Sequence, residues 1–264
     1  MPYFNHDGCN LYYEVDAKPG LPTLVLSNAL GTNLSLWEPQ IAVFRGRFTI
    51  VRYDGRGHGR SSVSAGPYTI DQLGGDVVAL MDHLELASAS FCGLSMGGLV
   101  GQWLGIHATQ RLRKLVICNT AAKIGTEASW NERIRVVRAN GMETIIPAVV
   151  ERWFTPQFRS AHPEALLSVS ALLAAANRDG YVANCAAIRD GDLRGDLHQI
   201  KAPTLVVFGR HDPVTTPEDA RFLAERITNA ETLPLDAAHL SNIEAAESFR
   251  AGVLDFLSHG DTCG

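Results

Sequence analysis

Along the chain, short β-branched or apolar runs alternate with segments whose apolar residues recur at helical spacing. Leu11–Val15, Thr23–Ser27, Phe48–Tyr53, Ser90–Cys92, Lys114–Cys118, Thr204–Phe208 and Glu231–Leu235 read as strands. The four between Thr23 and Cys118 are almost continuously apolar, as parallel strands covered on both faces should be. Between them, Thr69–Leu86 sets Ile70, Leu73, Val77, Leu80, Met81 and Leu84 along one stripe. Met96–Ala108 follows its strand almost at once. Pro217–Ile227 opens with Thr216 as a plausible N-cap and Pro217 at the first helical position. Strand–helix–strand order predicts an α/β fold with a doubly wound, mostly parallel sheet.

From about Thr120 to Asp196 the strand-like runs stop. Helical segments take over at Ser129–Asn140, Met142–Arg152, Pro163–Ala176 and Tyr181–Ile188, punctuated by prolines 147, 156 and 163. A helical insertion between two sheet strands reads as a cap over the carboxyl edge of the sheet, where α/β proteins bind ligands. The expected division is a core of residues 1–119 and 197–264 and an inserted cap of 120–196. In the cap nine Lys/Arg balance nine Asp/Glu, so the rest of the chain carries the whole net charge of −5. A cap richer in cations than its base points to an anionic ligand.

Composition narrows the function. With 264 residues and 46% hydrophobic positions the chain can bury a large interior and is no disordered segment. A mildly acidic chain without a Lys/Arg run argues against nucleic acid as a partner. The longest apolar stretches, such as Ala171–Ala176, fall far short of the ~20 residues that span a bilayer. No basic start with an apolar run precedes the first strand, so no export signal is expected. Five scattered cysteines (Cys9, Cys92, Cys118, Cys185 and Cys263) form no CxxC pair, which suggests reduced thiols in a cytoplasmic protein. The histidines occur singly, without HxH or HExxH spacing, and no metal site is expected. Nothing in the sequence selects an oligomeric state.

The sharpest chemical signal is Gly93-Leu94-Ser95-Met96-Gly97, which ends a strand and opens a helix. That context turns GxSxG into a nucleophile elbow, a strained bend that lifts Ser95 above the sheet at a helix N-terminus. A serine hydroxyl needs a base, and the base needs an orienting acid. Downstream, Asp212 lies in the loop after the Thr204–Phe208 strand and His239 in the loop after Glu231–Leu235. The order Ser, acid, His gives Ser95, Asp212 and His239 as the candidate catalytic set. His211 is expected to face solvent or to support the site from behind. His58, in Asp54-Gly55-Arg56-Gly57-His58-Gly59-Arg60-Ser61, reads as part of a structural turn near the site, and Glu244 as a rival acid ranked below Asp212. An oxyanion needs two aimed amides, expected from Met96 and from Leu30 in the turn Asn28–Asn33.

These residues resemble the α/β-hydrolase superfamily over essentially the whole chain. More narrowly, Ser27–Thr32, Arg52–Ser61, Phe91–Gly98 and Ala238–Asn242 resemble the 3-oxoadipate enol-lactonases, as do Glu151–Thr155 and Cys185–Asp190. Many superfamily members have His-Gly where this chain has Asn28-Ala29, a departure shared with the lactonase group. The resemblance implies hydrolysis of an enol-lactone to 3-oxoadipate, in the breakdown of protocatechuate and catechol, with no cofactor. It implies a small anionic lactone substrate whose carboxylate meets a cap cation. Arg133 and Arg189 are candidates for that contact, and Trp130 and Trp153 for pocket walls. Rival readings are another carboxylesterase, a cofactor-free perhydrolase, and a non-catalytic ligand-binding module. A dienelactone hydrolase would be expected to carry cysteine at position 95, and a metal-dependent lactonase a histidine cluster.

Overall fold

The computed structural model describes residues 2–258, so Cys263 and the end of the expected core segment lie outside the described residues. Eight strands form one sheet in the order β1 (Tyr3–His6), β2 (Cys9–Asp16), β4 (Thr49–Tyr53), β3 (Thr23–Ser27), β5 (Ala89–Leu94), β6 (Leu112–Cys118), β7 (Thr204–Gly209), β8 (Ala230–Leu235). β1 and β2 form a hairpin, with Tyr3 opposite Tyr12 and His6 opposite Cys9, and β2 runs antiparallel to β4. Every other pairing is parallel. Apart from the added β1, the sheet follows the expectation from hydrophobic patterning. Strands β5 and β6 are buried along nearly their whole length, as their unbroken apolar sequence requires.

Helices α1 (Glu38–Phe44), α2 (Ile70–His83) and α3 (Met96–His107) alternate with the first parallel strands. Helix α2 starts where Thr69 and Gln72 close a capping box, and it buries Ile70, Leu73, Val77, Leu80 and Met81. Helix α3 lies unusually close to the sheet. A Cβ on its Gly101 would stand 3.0 Å from Leu115 and 3.1 Å from Phe91. Between β6 and β7 come α4 (Glu127–Asn140), α5 (Ile146–Trp153), α6 (Pro156–Ala161), α7 (Pro163–Ala174) and α8 (Arg178–Asp190). Helix α4 packs on α8, and α5 on α7. After β7 follow α9 (Pro217–Arg226), capped by Thr216 as expected, then α10 (Ser241–Glu244) and α11 (Ala246–Ser258).

The insertion departs from the expectation in its helix boundaries and in the added α6, most clearly around Pro147. Met142–Arg152 is not a single helix: a 3₁₀ turn at Met142–Thr144 precedes α5, whose first turn contains Pro147. Proline has no N–H to donate and restricts the residue before it, so it begins a helix rather than continuing one.

Candidate active site

The carboxyl ends of β3, β5, β6 and β7 and the loop after β8 converge on Ser95. It has φ 57° and ψ −111°, a conformation an L-residue seldom adopts. Backbone bonds on both sides fix it: its N–H donates to the Cys118 carbonyl at 2.8 Å, and its carbonyl accepts from Thr120 Oγ1 at 2.8 Å. The bend leaves no space beside it. A Cβ on Gly93 would lie 2.1 Å from the Gly97 carbonyl oxygen, and one on Gly97 would lie 2.4 Å from that of Ser27. Both glycines of the motif are therefore required by close backbone approach.

His239 places Nε2 3.0 Å from Ser95 Oγ and Nδ1 2.8 Å from Asp212 Oδ2. A carboxylate only accepts, so the neutral ring carries its proton on Nδ1 and offers the Nε2 lone pair to the serine hydroxyl. Asp212 is almost fully buried and fully satisfied. Oδ1 accepts from the amides of Val214 (2.8 Å) and Thr215 (3.1 Å), and Oδ2 from Thr215 Oγ1 (2.9 Å) and Asn119 Nδ2 (3.1 Å). Burial pushes its pKa up, but the His239 charge and these hydrogen bonds outweigh that and hold the carboxyl below its ordinary value. The sequence pointed to Ser95, Asp212 and His239; the fold brings the three into one hydrogen-bonded line.

Met96 directly follows the serine, and Leu30 lines the same cavity as Ser95. Met96 opens α3, where a helix has no acceptor for its first amides. The Leu30 turn is held by its neighbours. Asn28 accepts from the Gly97 amide through its carbonyl (3.1 Å) and donates through Nδ2 to the Tyr53 carbonyl (2.9 Å), and the Ala29 carbonyl accepts from Thr32. Gly31 N donates to His58 Nε2 at 2.9 Å, and Leu34 N to Asp54 Oδ1 at 2.8 Å. Among the described residues neither the Leu30 nor the Met96 amide has a protein acceptor.

Ser95, His239 and Leu30 open into a cavity of about 250 Å³ that residues of the helical insertion also line. Trp130, Trp153, Val149 and Ile188 supply apolar walls. The Trp130 indole is fixed by donation to the Ile124 carbonyl at 2.7 Å, and the Trp153 ring centroid stands 6.0 Å from that of His239. Arg133 lines the cavity, held by Tyr181 Oη at 3.1 Å. Arg189 does not. Its guanidinium is taken by Asp190 (2.7 and 2.8 Å) and Asn131 (2.8 Å), outside the lining. In its place the structure adds Arg152 from α5, a cation the sequence reading passed over. Its Nε donates to the Ala148 carbonyl at 3.1 Å, and among the described residues neither Arg133 nor Arg152 has a carboxylate partner. Burial, then the Arg133 charge, draws the Arg152 guanidinium below its ordinary pKa, a cost that a bound anion would relieve.

The remaining candidates have other partners. His211 is exposed and pairs with Asp236 at 2.7 Å. Glu244 does not reach His239. Its carboxylate accepts from the Ala238 amide (2.8 Å), the Thr155 amide (3.1 Å) and the Thr155 hydroxyl, tying the histidine loop to the start of α6. His58 is buried, and burial, partly offset by the Arg56 carbonyl, lowers its pKa to about 4. The unfolded chain therefore takes up a proton near pH 6.5 that the folded chain refuses until about pH 4. Folding stability should be complete above pH 6.5 and fall by about 3 kcal/mol as the pH drops to 4. Asp212, whose folded pKa is also lowered, acts in the same direction at still lower pH. Thermal unfolding from pH 7 to 4 should show this decline, and His58→Gln should flatten it; an unchanged slope in the variant would assign the decline to other groups.

A mostly parallel sheet of this order, with a strained serine at its carboxyl edge and a buried Ser–His–Asp line, has the architecture of an α/β hydrolase. The chain belongs to the alpha/beta hydrolase fold family, whose model matches residues 22–246. It is 45% identical over 243 residues to 3-oxoadipate enol-lactonase 2 of Acinetobacter baylyi, covering 92% of this chain and 91% of that one. It is 38% identical over 245 residues to 3-oxoadipate enol-lactonase 1 of the same organism, covering 93% and 92%. Among solved structures, the enol-lactonase of Burkholderia xenovorans superposes with a TM-score of 0.96 at 44% identity, covering 98% of this chain and all of that one.

Proposed function

We propose that this protein is a serine hydrolase that opens the ring of 3-oxoadipate enol-lactone to 3-oxoadipate. The observation that carries the reading is the cavity itself. A reactive serine faces a small chamber with apolar walls, in which two arginines stand without carboxylate partners among the described residues. A chamber of that kind suits a compact ester that bears a free carboxylate. The enol-lactonase relatives support the choice of ester.

In this reading His239 accepts the Ser95 proton as Oγ attacks the lactone carbonyl, and Asp212 steadies the resulting imidazolium. The Leu30 and Met96 amides receive the oxyanion. Collapse breaks the ring C–O bond. The leaving oxygen departs as an enolate that remains part of the acyl chain and needs little help from a general acid to leave. It is protonated on carbon to the ketone by the proton that His239 took from Ser95, which returns the ring to its neutral form. Water, deprotonated by His239, then attacks the acyl-enzyme and frees the second carboxylate together with Ser95. Each step uses a side chain or amide of the chain, so the mechanism calls for no cofactor. Residues 120–196 serve as the cap that excludes water, with Arg133 and Arg152 gripping the carboxylate and Trp130 and Trp153 walling the ring. Cys9, Cys92, Cys118 and Cys185, free thiols among the described residues, support a cytoplasmic setting.

The test compares the enol-lactone with p-nitrophenyl acetate, a neutral ester. The lactone should show the higher kcat/KM; a higher value for the neutral ester would make the protein a general carboxylesterase. Arg133→Ala and Arg152→Ala should each raise KM for the lactone about tenfold or more, the worth of a charge-assisted hydrogen bond. Both should leave p-nitrophenyl acetate within about threefold, since that ester has no anion to bind. An equal loss on both esters would mean that the arginines shape the cavity and do not read charge.

A further inference from the structure

The loop after β4 does more than turn the chain. Its Asp54, His58 and preceding Tyr53 carbonyl accept three hydrogen bonds from the turn that carries Leu30: from Leu34 N (2.8 Å), Gly31 N (2.9 Å) and Asn28 Nδ2 (2.9 Å). The His58 bond lies one peptide from the Leu30 amide. We infer that His58 is a positioning residue for the oxyanion hole: by accepting from Gly31 N it fixes the Leu30–Gly31 peptide and so aims the Leu30 amide at the developing oxyanion. The inference rests on the oxyanion role given to Leu30 above and deepens that reading.

Three features make the ring suited to the task. First, it is held rigidly. The His58 amide donates to the Gly55 carbonyl and its carbonyl accepts from Ser61 N, both at 2.9 Å. The adjacent Gly57 meets Gly180 of α8 so closely that a Cβ on Gly180 would lie 2.2 Å from the Gly57 carbonyl oxygen. Asn184 of the same helix donates to the Arg56 carbonyl at 2.9 Å. Second, its tautomer is set. With Nε2 accepting from Gly31, the neutral ring proton lies on Nδ1, which faces the Arg56 carbonyl at 3.4 Å; Asn184 Nδ2, also 3.4 Å from Nδ1, donates instead to the Arg56 and Gly180 carbonyls at 2.9 Å. Third, the ring stays uncharged in neutral solution because burial disfavours the imidazolium, so Nε2 keeps its lone pair. Packing adds to the hold: Gly31 has φ +77°, and a Cβ there would lie 2.9 Å from both Leu173 and Tyr181. The peptide is therefore boxed in on one side by packing and held on the other by one acceptor.

Two amide side chains separate this role from filling space. Glutamine at position 58 can bring Oε1 to where Nε2 now sits, whereas asparagine is too short to reach Gly31. His58→Asn and His58→Ala should lower kcat for the enol-lactone about tenfold to a hundredfold, part of the worth of an oxyanion donor, with KM within about threefold. His58→Gln should recover kcat to within about threefold of the parent. Affinity for an alkylboronic acid, which forms a tetrahedral anionic adduct on the serine, should fall in step with kcat across the series. Exchange of the Gly31 amide hydrogen should speed up in His58→Asn and stay slow in His58→Gln. Equal kcat in His58→Asn and His58→Gln, or a His58→Asn protein within threefold of the parent, would overturn the inference. Should the alanine variant fail to fold, the Asn/Gln pair decides alone. If Ser95→Ala instead turned over at the parental rate, the serine mechanism would fail, while Gly31 exchange would still report on the His58 bond.

Discussion

Alanine at position 95 should leave a folded protein that has lost kcat for the enol-lactone by about a millionfold, the scale seen when a serine nucleophile is removed from an intact triad. The change deletes one oxygen and its 3.0 Å bond to His239. It leaves the two backbone bonds that hold the elbow, from its N–H to the Cys118 carbonyl and to its carbonyl from the Thr120 hydroxyl. Alanine has a Cβ, as serine does, so the strain of the φ 57° conformation is unchanged and the melting temperature should stay within a few degrees. In the proposed mechanism the residual rate would come from the Leu30 and Met96 amides, Arg133, Arg152 and water in the vacated space. A fluorophosphonate should label the parent protein to one equivalent and the variant not at all. A variant retaining more than about a thousandth of the parental kcat would mean that water attacks the lactone directly and that Ser95 is not the nucleophile.

How far the sequence predicts this arrangement depends on whether a signal is local. The parallel strands are legible because two-sided burial demands unbroken apolar runs, as in β5 and β6. β1 escapes that test. It has four residues at the sheet edge with one buried side chain, and the trace it leaves is the Asp7-Gly8 turn, both residues at positive φ. Helices α4 and α8 begin earlier than their apolar periodicity suggests, because Thr126 and Asn177 cap them upstream of the first buried position.

The site divides in the same way. Ser95, Asp212 and His239 each end or follow a strand, and strand order alone brings them toward one edge. The cap cations are not local. Ile188 lines the cavity and Arg189, one position on, is rotated by about 100° around α8 and points elsewhere. The spacing of Val149, Arg152 and Trp153 does place all three on one face of α5, and this was the available signal for Arg152. No spacing could reveal His58, since its partner Gly31 lies 27 residues away on another loop.

Asparagine at position 212 should lower kcat by about ten-thousandfold, and the reason lies in the donors around the carboxylate. Oδ1 faces two backbone amides, Val214 N and Thr215 N, which cannot accept. The new NH₂ group is therefore excluded from that side and must occupy the Oδ2 position. There it faces His239 Nδ1 and Asn119 Nδ2, with Thr215 Oγ1 the one group able to turn and accept. An NH₂ against Nδ1 selects the opposite imidazole tautomer, with the proton on Nε2. That ring donates toward Ser95 where it should accept, and the base is lost with its geometry nearly intact. Because the residues act as one unit, combining Asp212→Asn with Ser95→Ala should cost little more than Ser95→Ala alone. Glu244→Gln is the matching control. Its carboxylate touches Thr155 and Ala238 but not His239, so kcat should remain within about tenfold, the scale of lost hydrogen bonds and not of a lost base. A larger loss in Glu244→Gln than in Asp212→Asn would reverse the assignment of the acid.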